Sequence, residues 1–288
     1  MISKKISGKI EMIDTVPVFI LGSGRSGTFQ MVKLLENIEG IQSHHEYLFE
    51  NILKPAVLYR MGAISDEEIR NVLKETHVPA VYYANAPVWL DSSNALPWIV
   101  TPLYELFPNA RFIHLLRDGR KVVSSFYNKF TGVVYDDQCV NIVKHWLDNF
   151  ATMPSPPPEK KYWRPFPVKG EKYFEEFTQQ SRFQRLCYYW QDCNIRIRDS
   201  LTAVPDEQKL SIHLEDLVSD PVTLERFLNM FGVAYDDKYM QVLKRPVNVA
   251  IPQNFPLTEQ ERLEFGKIAG DAMKVFGYDA LEEYQVAY

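Results

Sequence analysis

The sequence predicts an α/β fold with a mainly parallel central sheet flanked by helices, and three observations predict it. The apolar run Val16–Leu21 breaks off at a glycine-rich loop and enters a helical pattern over 28–36. A second run, Arg111–Leu116, breaks off at Arg117-Asp118-Gly119 and also turns helical, through Tyr127. A third, over 210–214, lies between strong helical patterns over 183–199 and 223–231. Strands that alternate with helices pack into three layers, helices on both faces of a parallel sheet. A chain of 288 residues with 46% hydrophobic content can bury such a core as one domain, residues 1–288, with 1–15 as an amino-terminal extension.

The first strand leads into Gly22-Ser23-Gly24-Arg25-Ser26-Gly27-Thr28. Glycines let backbone N–H groups turn inward with no Cβ in the way, and the following helix points its positive end at the same spot, so an anion belongs there. Gly22 and Gly27 have the spacing of a nucleoside-triphosphatase phosphate loop, yet Thr28 follows with no lysine before it, and the cation is Arg25 inside the loop. The fold class is thus a P-loop-type three-layer α/β fold. A plain tight turn is the alternative for the loop taken alone. At the second strand, Arg117 ends the strand and Ser125 lies two helical turns on, so an arginine fork and a hydroxyl can converge on one phosphate. The alternative there is Arg117 paired with Asp118 and Ser125 facing solvent.

Between and beyond these units the elements follow in order. Ser65 caps a helix with Glu68 at the capping-box position. Residues 81–83 read as a short strand or loop, and Leu90 ends a strand that delivers Asp91 to Asn94 to the active face. Residues 138–150 read as an amphipathic helix with Cys139, Trp146 and Phe150 on its apolar side. The proline-rich stretch 153–169, part of an insertion spanning 152–170, is no regular element; it is either a surface linker or a wall over an acceptor pocket. A last helix is capped at Thr258 and closed at Gly277.

Taken together, the loop Gly22 to Thr28 and the pair Arg117 and Ser125 resemble the nucleotide motifs of the sulfotransferases that use 3′-phosphoadenosine 5′-phosphosulfate (PAPS). The resemblance runs from about Pro17 to Tyr278. It implies that Ser23, Gly24, Arg25, Ser26, Gly27, Thr28 and Phe29 hold the 5′-phosphosulfate and that Arg117 and Ser125 hold the 3′-phosphate, with no metal. Within the family the chain is similar to the bacterial and tyrosylprotein branch, whose loop reads R-S-G-T and whose base is a glutamate soon after the first helix. Glu46, 21 residues beyond Arg25, has that spacing, and residues 106–112 are also typical of the branch. Residues 214–221 resemble the family's Y-E-D-L-x-x-D-P turn, with Leu214 in place of an adenine-contacting tyrosine. Arg245-Pro246-Val247-Asn248 resembles a late basic element near the nucleotide. Asp91 to Asn94 occupies the stretch where many members carry a catalytic lysine. The implied activity is sulfuryl transfer from PAPS to a hydroxyl or amine of a small-molecule, natural-product or peptide acceptor, with Glu46 as base, Arg25 on the leaving phosphate and adenosine 3′,5′-bisphosphate as product.

His44 and His45 adjoin Glu46, and either is a rival base or a support for the carboxylate, unless the two are an exposed loop pair. His77 superficially resembles the base of the aryl and steroid branch but lies too far before Arg117. The aromatics Tyr82, Tyr83, Trp89, Trp98, Tyr162 and Trp163 either line an acceptor pocket or pack in the core. The formal charge of −5 argues against a nucleic-acid partner. Cys139, Cys187 and Cys193 form no C-x-x-C pair and suggest neither a disulfide framework nor a zinc site. Val16–Leu21 is too short for a membrane span, and a cytoplasmic protein is expected. Two other classes fit less of the pattern: a phosphate-loop kinase acting on a small molecule, which would need the missing lysine, and a nucleotide-binding protein without catalysis.

Overall fold

The computed structural model describes residues 3–6, 9–12, 14–132 and 134–288. The expected extension over 1–15 lies partly outside the described residues; within it β1 (Ser3–Ile6) and β2 (Lys9–Met12) pair antiparallel. Five further strands build the central sheet: β3 (Val16–Leu21), β4 (Ile41–His45), β5 (Val88–Ser93), β6 (Arg111–Leu116) and β7 (Lys209–His213). Their order is β4-β5-β3-β6-β7, and every neighbouring pair is parallel. This is the α/β fold with a parallel sheet that the strand-to-helix pattern predicts.

Why the inner strands read as continuous apolar runs is visible in the packing. Successive side chains of a strand point to opposite faces. Val18 and Ile20 of β3, with Ile113 and Leu115 of β6, join one core; Phe19, Leu21, Phe112 and Leu116 join the other. Both faces are covered, so neither can be polar. The first core is closed by α1 (Thr28–Leu35) and, after β7, by α8 (Leu214–Leu217), α9 (Pro221–Asn229) and α10 (Asp237–Leu243). The larger one packs beneath α2 (Phe49–Arg60), α3 (Asp66–Tyr82), α4 (Val100–Leu106), α5 (Gly119–Lys129), α6 (Asp137–Asp148), α7 (Arg182–Ser200) and α11 (Glu259–Val275).

The capping boxes expected at Ser65 and at Thr258 are both formed. Residues 81–83 are not a strand or loop. Leu73, His77 and Val81 are buried at helical spacing, and α3 runs through Pro79 to Tyr82, because a proline near the end of a helix forfeits only one hydrogen bond. Phe150 leaves the expected apolar face: α6 ends at Asp148, and Phe150 lies beyond it, exposed, with its ring 4.9 Å from that of Trp146. Leu214 begins α8 rather than ending β7.

Two buried polar devices join the layers. Asp192 of α7 accepts from Arg60 of α2 at 2.5 Å and from the Trp98 indole at 3.0 Å, so the buried carboxylate is paired. His114, the polar residue of β6, meets the Asn194 side chain at 3.0 Å. The Asn194 amide nitrogen already donates to the Trp190 carbonyl, so the His114 Nε2–H is the donor to the Asn194 Oδ1. Burial pulls the imidazole down to about 4, against a smaller upward pull from Asn194. Between that value and its ordinary 6.5, the unfolded chain binds a proton that the native protein does not. Stability therefore falls as pH drops through this window, with a slope from this group approaching roughly 1.4 kcal/mol per pH unit. Urea midpoints of the wild type and His114→Gln, compared from pH 7 to pH 4, should show the flatter dependence in the variant.

Candidate active site

Because β3 and β6 are parallel neighbours, with Leu21 opposite His114, the loops that leave their carboxyl ends lie side by side. The first loop crosses so closely that a Cβ at Gly22 would sit 2.5 Å from the Ser26 Oγ and 2.9 Å from the Leu115 carbonyl oxygen. Gly27, with φ of +97°, is the N-cap of α1; a Cβ there would lie 2.9 Å from Leu214. Having no side chain, Gly27 offers no capping acceptor, which leaves the first-turn N–H groups of α1 available to an anion. Arg25 itself adopts φ of +66°, a left-handed conformation that a non-glycine residue keeps only when its surroundings impose it.

The surroundings are the second loop. Arg117 donates from Nη1 to the Arg25 carbonyl at 2.6 Å, and Arg25 donates from Nε to the Ser125 hydroxyl at 3.2 Å and from Nη2 to the Asn248 carbonyl at 3.1 Å. Asp118 does not pair with Arg117. It caps α5 and binds Arg120 at 2.8 Å, so the Arg117 guanidinium faces the cavity. Burial, and then the neighbouring Arg117 charge, lower the pKa of Arg25. Two like charges held together in this way are relieved by an anion between them.

Glu46 approaches from β4. It follows His45 directly, takes φ of +54°, and its N–H donates to the Ser92 carbonyl at 3.1 Å. The next N–H, of Tyr47, donates to the buried Asp91 carboxylate at 3.1 Å, and His77 meets the other Asp91 oxygen at 3.3 Å. His77 thus lies wholly buried beneath the site and outside the cavity. The Asn94 side-chain amide donates to Glu46 Oε1, and Lys160 stands 3.7 Å from Oε2. The two histidines are not a loop pair: both belong to β4. His45 binds the Ser92 carbonyl through Nδ1 at 2.9 Å and lines the cavity, whereas His44 packs against Trp89 and Tyr47. Desolvation lowers the pKa of His44, with Asp91 pulling the other way.

The two loops, His45, Glu46, Asn94 and Lys160 open on one cavity of about 750 Å³. Gly24, Arg25, Gly27, Thr28, Phe29, His45, Glu46, Arg117 and Ser125 line it together. Three expected residues do not. Ser23 and Ser26 are buried with side-chain oxygens that have no partner, because the loop folds inward over Gly22 and leaves only its backbone to the cavity. Arg245 is exposed past the end of α10, and Lys244 lines the cavity instead. None of Tyr82, Tyr83, Trp89, Trp98, Tyr162 and Trp163 lines it. Trp89, Trp98 and Trp163 are core, while Tyr82 and Tyr83 are exposed at the end of α3.

Residues 17–155 match the model of the family described as "Sulfotransferase family". No curated protein sequence matches the chain. Among solved structures, a sulfotransferase from Mycobacterium avium is 13% identical with a TM-score of 0.50, over 94% of this chain and 79% of that one. The sulfotransferase domain of the Synechococcus PCC 7002 olefin synthase is 17% identical with a TM-score of 0.49, over 94% and 98% of the two chains. That of the curacin biosynthetic pathway is 17% identical with a TM-score of 0.48, over 91% and 98%. The likeness to the Mycobacterium avium structure is one of fold.

The cavity holds residues beyond those the motifs name. Lys121 and Lys129 face it from α5, at four-residue steps from Arg117 and Ser125, so helical spacing alone points to both. Lys160 and Arg164 reach it from the proline-rich stretch, and Tyr284 and Tyr288 from the carboxyl-terminal segment; no local pattern marks these four. The cavity suits an anionic nucleotide. The Arg117 Nε is buried with no partner, and a Cβ at Gly24 would lie 3.1 Å from the Phe126 ring, so that position has no room for a side chain.

The packing of Leu214 on Gly27 has a measurable consequence. Gly27→Ala should cost about 1–2 kcal/mol from its left-handed φ alone, and more from the contact. The double variant Gly27→Ala with Leu214→Ala should then be less destabilised than the two single losses added, in a denaturant double-mutant cycle.

Proposed function

We propose that this sulfotransferase moves the sulfuryl group of PAPS to a hydroxyl or amine of a small-molecule acceptor and releases adenosine 3′,5′-bisphosphate. The observation that carries the proposal is the meeting of Arg25, Arg117 and Ser125, from two loops 92 residues apart, in one cavity with Glu46. PAPS supplies a sulfuryl group on a phosphate that leaves with the electrons of the broken S–O bond. The loop backbone from Gly24 to Phe29 and the start of α1 hold the 5′ end, and Arg117 with Ser125 holds the 3′-phosphate; Lys121 adds positive charge on the same helix face. Glu46 takes the proton of the attacking hydroxyl, with Asn94 and Lys160 fixing its carboxylate. Arg25 and the first-turn N–H groups meet the charge that grows on the departing phosphate. The insertion 152–170 forms the acceptor wall, since it brings Lys160 and Arg164 to Glu46.

A kinase reading has less support, because no lysine lies in the loop. Thermal shift separates the classes: adenosine 3′,5′-bisphosphate should raise Tm, and ATP with magnesium should not.

Arg117→Ala should weaken adenosine 3′,5′-bisphosphate roughly tenfold to a hundredfold while leaving adenosine 5′-phosphosulfate, which lacks the 3′-phosphate, nearly unchanged in titration calorimetry. Equal losses on both ligands would remove Arg117 from the 3′ site. Glu46→Gln keeps the shape of the side chain and removes the base. With labelled PAPS, its kcat should fall about a hundredfold or more while nucleotide affinity holds. Normal turnover in Glu46→Gln beside an inactive His45→Ala would assign the base to His45.

A further inference from the structure

The nucleotide reading leaves two cations on the acceptor side of the cavity unused, and one of them is unusual. Arg164 is 2% exposed, yet among the described residues no carboxylate pairs with it. Its Nη1 donates to the Trp163 carbonyl at 3.0 Å, its Nε is buried with no partner, and its guanidinium lies 5.8 Å from the Tyr189 ring centre. Other deeply placed arginines are matched: Arg185, equally buried, binds Asp137, and Arg60, whose side chain is 5% exposed, binds Asp192 and Glu171. A buried cation without a counter-charge costs stability, and such a cost persists where a ligand is to be met.

The neighbours of Arg164 define what it meets. It lines the same cavity as Glu46, Lys160 and Asn94. Lys160 is already committed, 3.7 Å from Glu46 and 4.4 Å from the Phe49 ring centre, so it shields Glu46 from any second negative charge nearby. The Asn94 Oδ1 is also buried without a partner, which adds an acceptor to the same wall, and the unpartnered Tyr189 hydroxyl lies in the core behind Arg164. A planar fork of N–H donors is matched by a carboxylate.

We propose that the acceptor is a small hydroxy acid whose carboxylate docks on Arg164 while its hydroxyl is presented to Glu46. The inference rests on the reading of Glu46 as the acceptor's base. Depth favours a slim molecule, since Arg164 is reached only from inside the cavity. Charge favours a single carboxylate, since Lys160 is engaged by Glu46 and Arg25, Arg117 and Lys121 serve the nucleotide.

The test uses matched acids and amides, 4-hydroxyphenylacetate with 4-hydroxyphenylacetamide and 3-hydroxyoctanoate with its amide, titrated calorimetrically into the full chain. At least one acid should bind about tenfold to a hundredfold more tightly than its amide, as one charge-assisted fork contact implies. Arg164→Gln should erase the difference, and Lys160→Met, at a half-exposed position, should shrink it. Unchanged affinity for adenosine 3′,5′-bisphosphate checks that each variant is folded. Acids and amides that bind alike, acids that do not bind, or a preference that survives both substitutions would overturn the proposal. If Arg164→Gln does not fold, the wild-type pairs and Lys160→Met still decide it. A separate arm with labelled PAPS addresses the reaction. An acid that binds through Arg164 yet receives no sulfate overturns the sulfuryl-transfer reading and leaves the carboxylate site standing.

Discussion

The structure depends on the parallel pairing of β3 with β6. The glycine loop and Arg117 reach the cavity because of where those two strands stop. Each strand is apolar on both faces because helices cover both, so between Val18 and Leu21 and between Phe112 and Leu116 neither carries a charged group. Leu21 and Leu116 therefore mark the boundary at which polarity becomes possible, and the first residues past it are the glycine loop and Arg117. Because the two strands are parallel neighbours, both boundaries lie at the same end of the sheet. A site for a nucleotide carrying charge at two ends needs this arrangement, with cations delivered by separate loops to a common edge.

The same edge explains the strain. Arg25, Glu46 and Leu48 all have positive φ, and all lie where a strand end is turned sharply toward the cavity. Such conformations persist only when neighbouring groups over-determine them. Arg25 is tied through its carbonyl to Arg117 and through its side chain to Ser125 and Asn248. Glu46 is tied through its N–H to Ser92, and the following N–H to Asp91. Asp91 is in turn held by His77, so a fully buried histidine outside the cavity helps set the direction of the Glu46 carboxylate. Removal of Asp91 would leave the Tyr47 N–H and the His77 ring without their acceptor, a larger disturbance than loss of a surface contact.

How much of this was legible depended on whether the signal was local. Strands that end in glycine or arginine and pass into helices are written in adjacent residues, so the sheet, the phosphate loop and the capped helices could be read directly. The burial of Leu73, His77 and Val81 at helical spacing was equally local, but Pro79 and three β-prone residues after it obscured the continuity of α3. At the site, Arg25, Glu46, Arg117 and Ser125 carried enough motif to be named. Ser23 and Ser26 did not behave as their loop positions suggested, since a side chain inside a tight turn has no freedom to choose the cavity over the core. Lys160 and Arg164 were invisible, because a proline-rich segment has no periodicity from which to infer a face.

That last gap has a physical cause that bears on function. The donor half of the cavity is made of strand ends and helix starts, which are rigid and repeat the same local grammar wherever they occur. The acceptor half is made of irregular chain, stiffened by prolines and anchored by the buried Trp163 and Phe166 on either side of Arg164. Anchoring of this kind holds a cation deep in the cavity without any regular element beneath it. In the proposed reading it also separates two tasks: changes in the proline-rich wall would alter what is accepted and leave the ends of β3 and β6, where the nucleotide is proposed to bind, untouched. Recognition of the acceptor is then the variable part of the molecule and charge handling at the strand ends the fixed part, a division set by which segments the sheet constrains and which it does not.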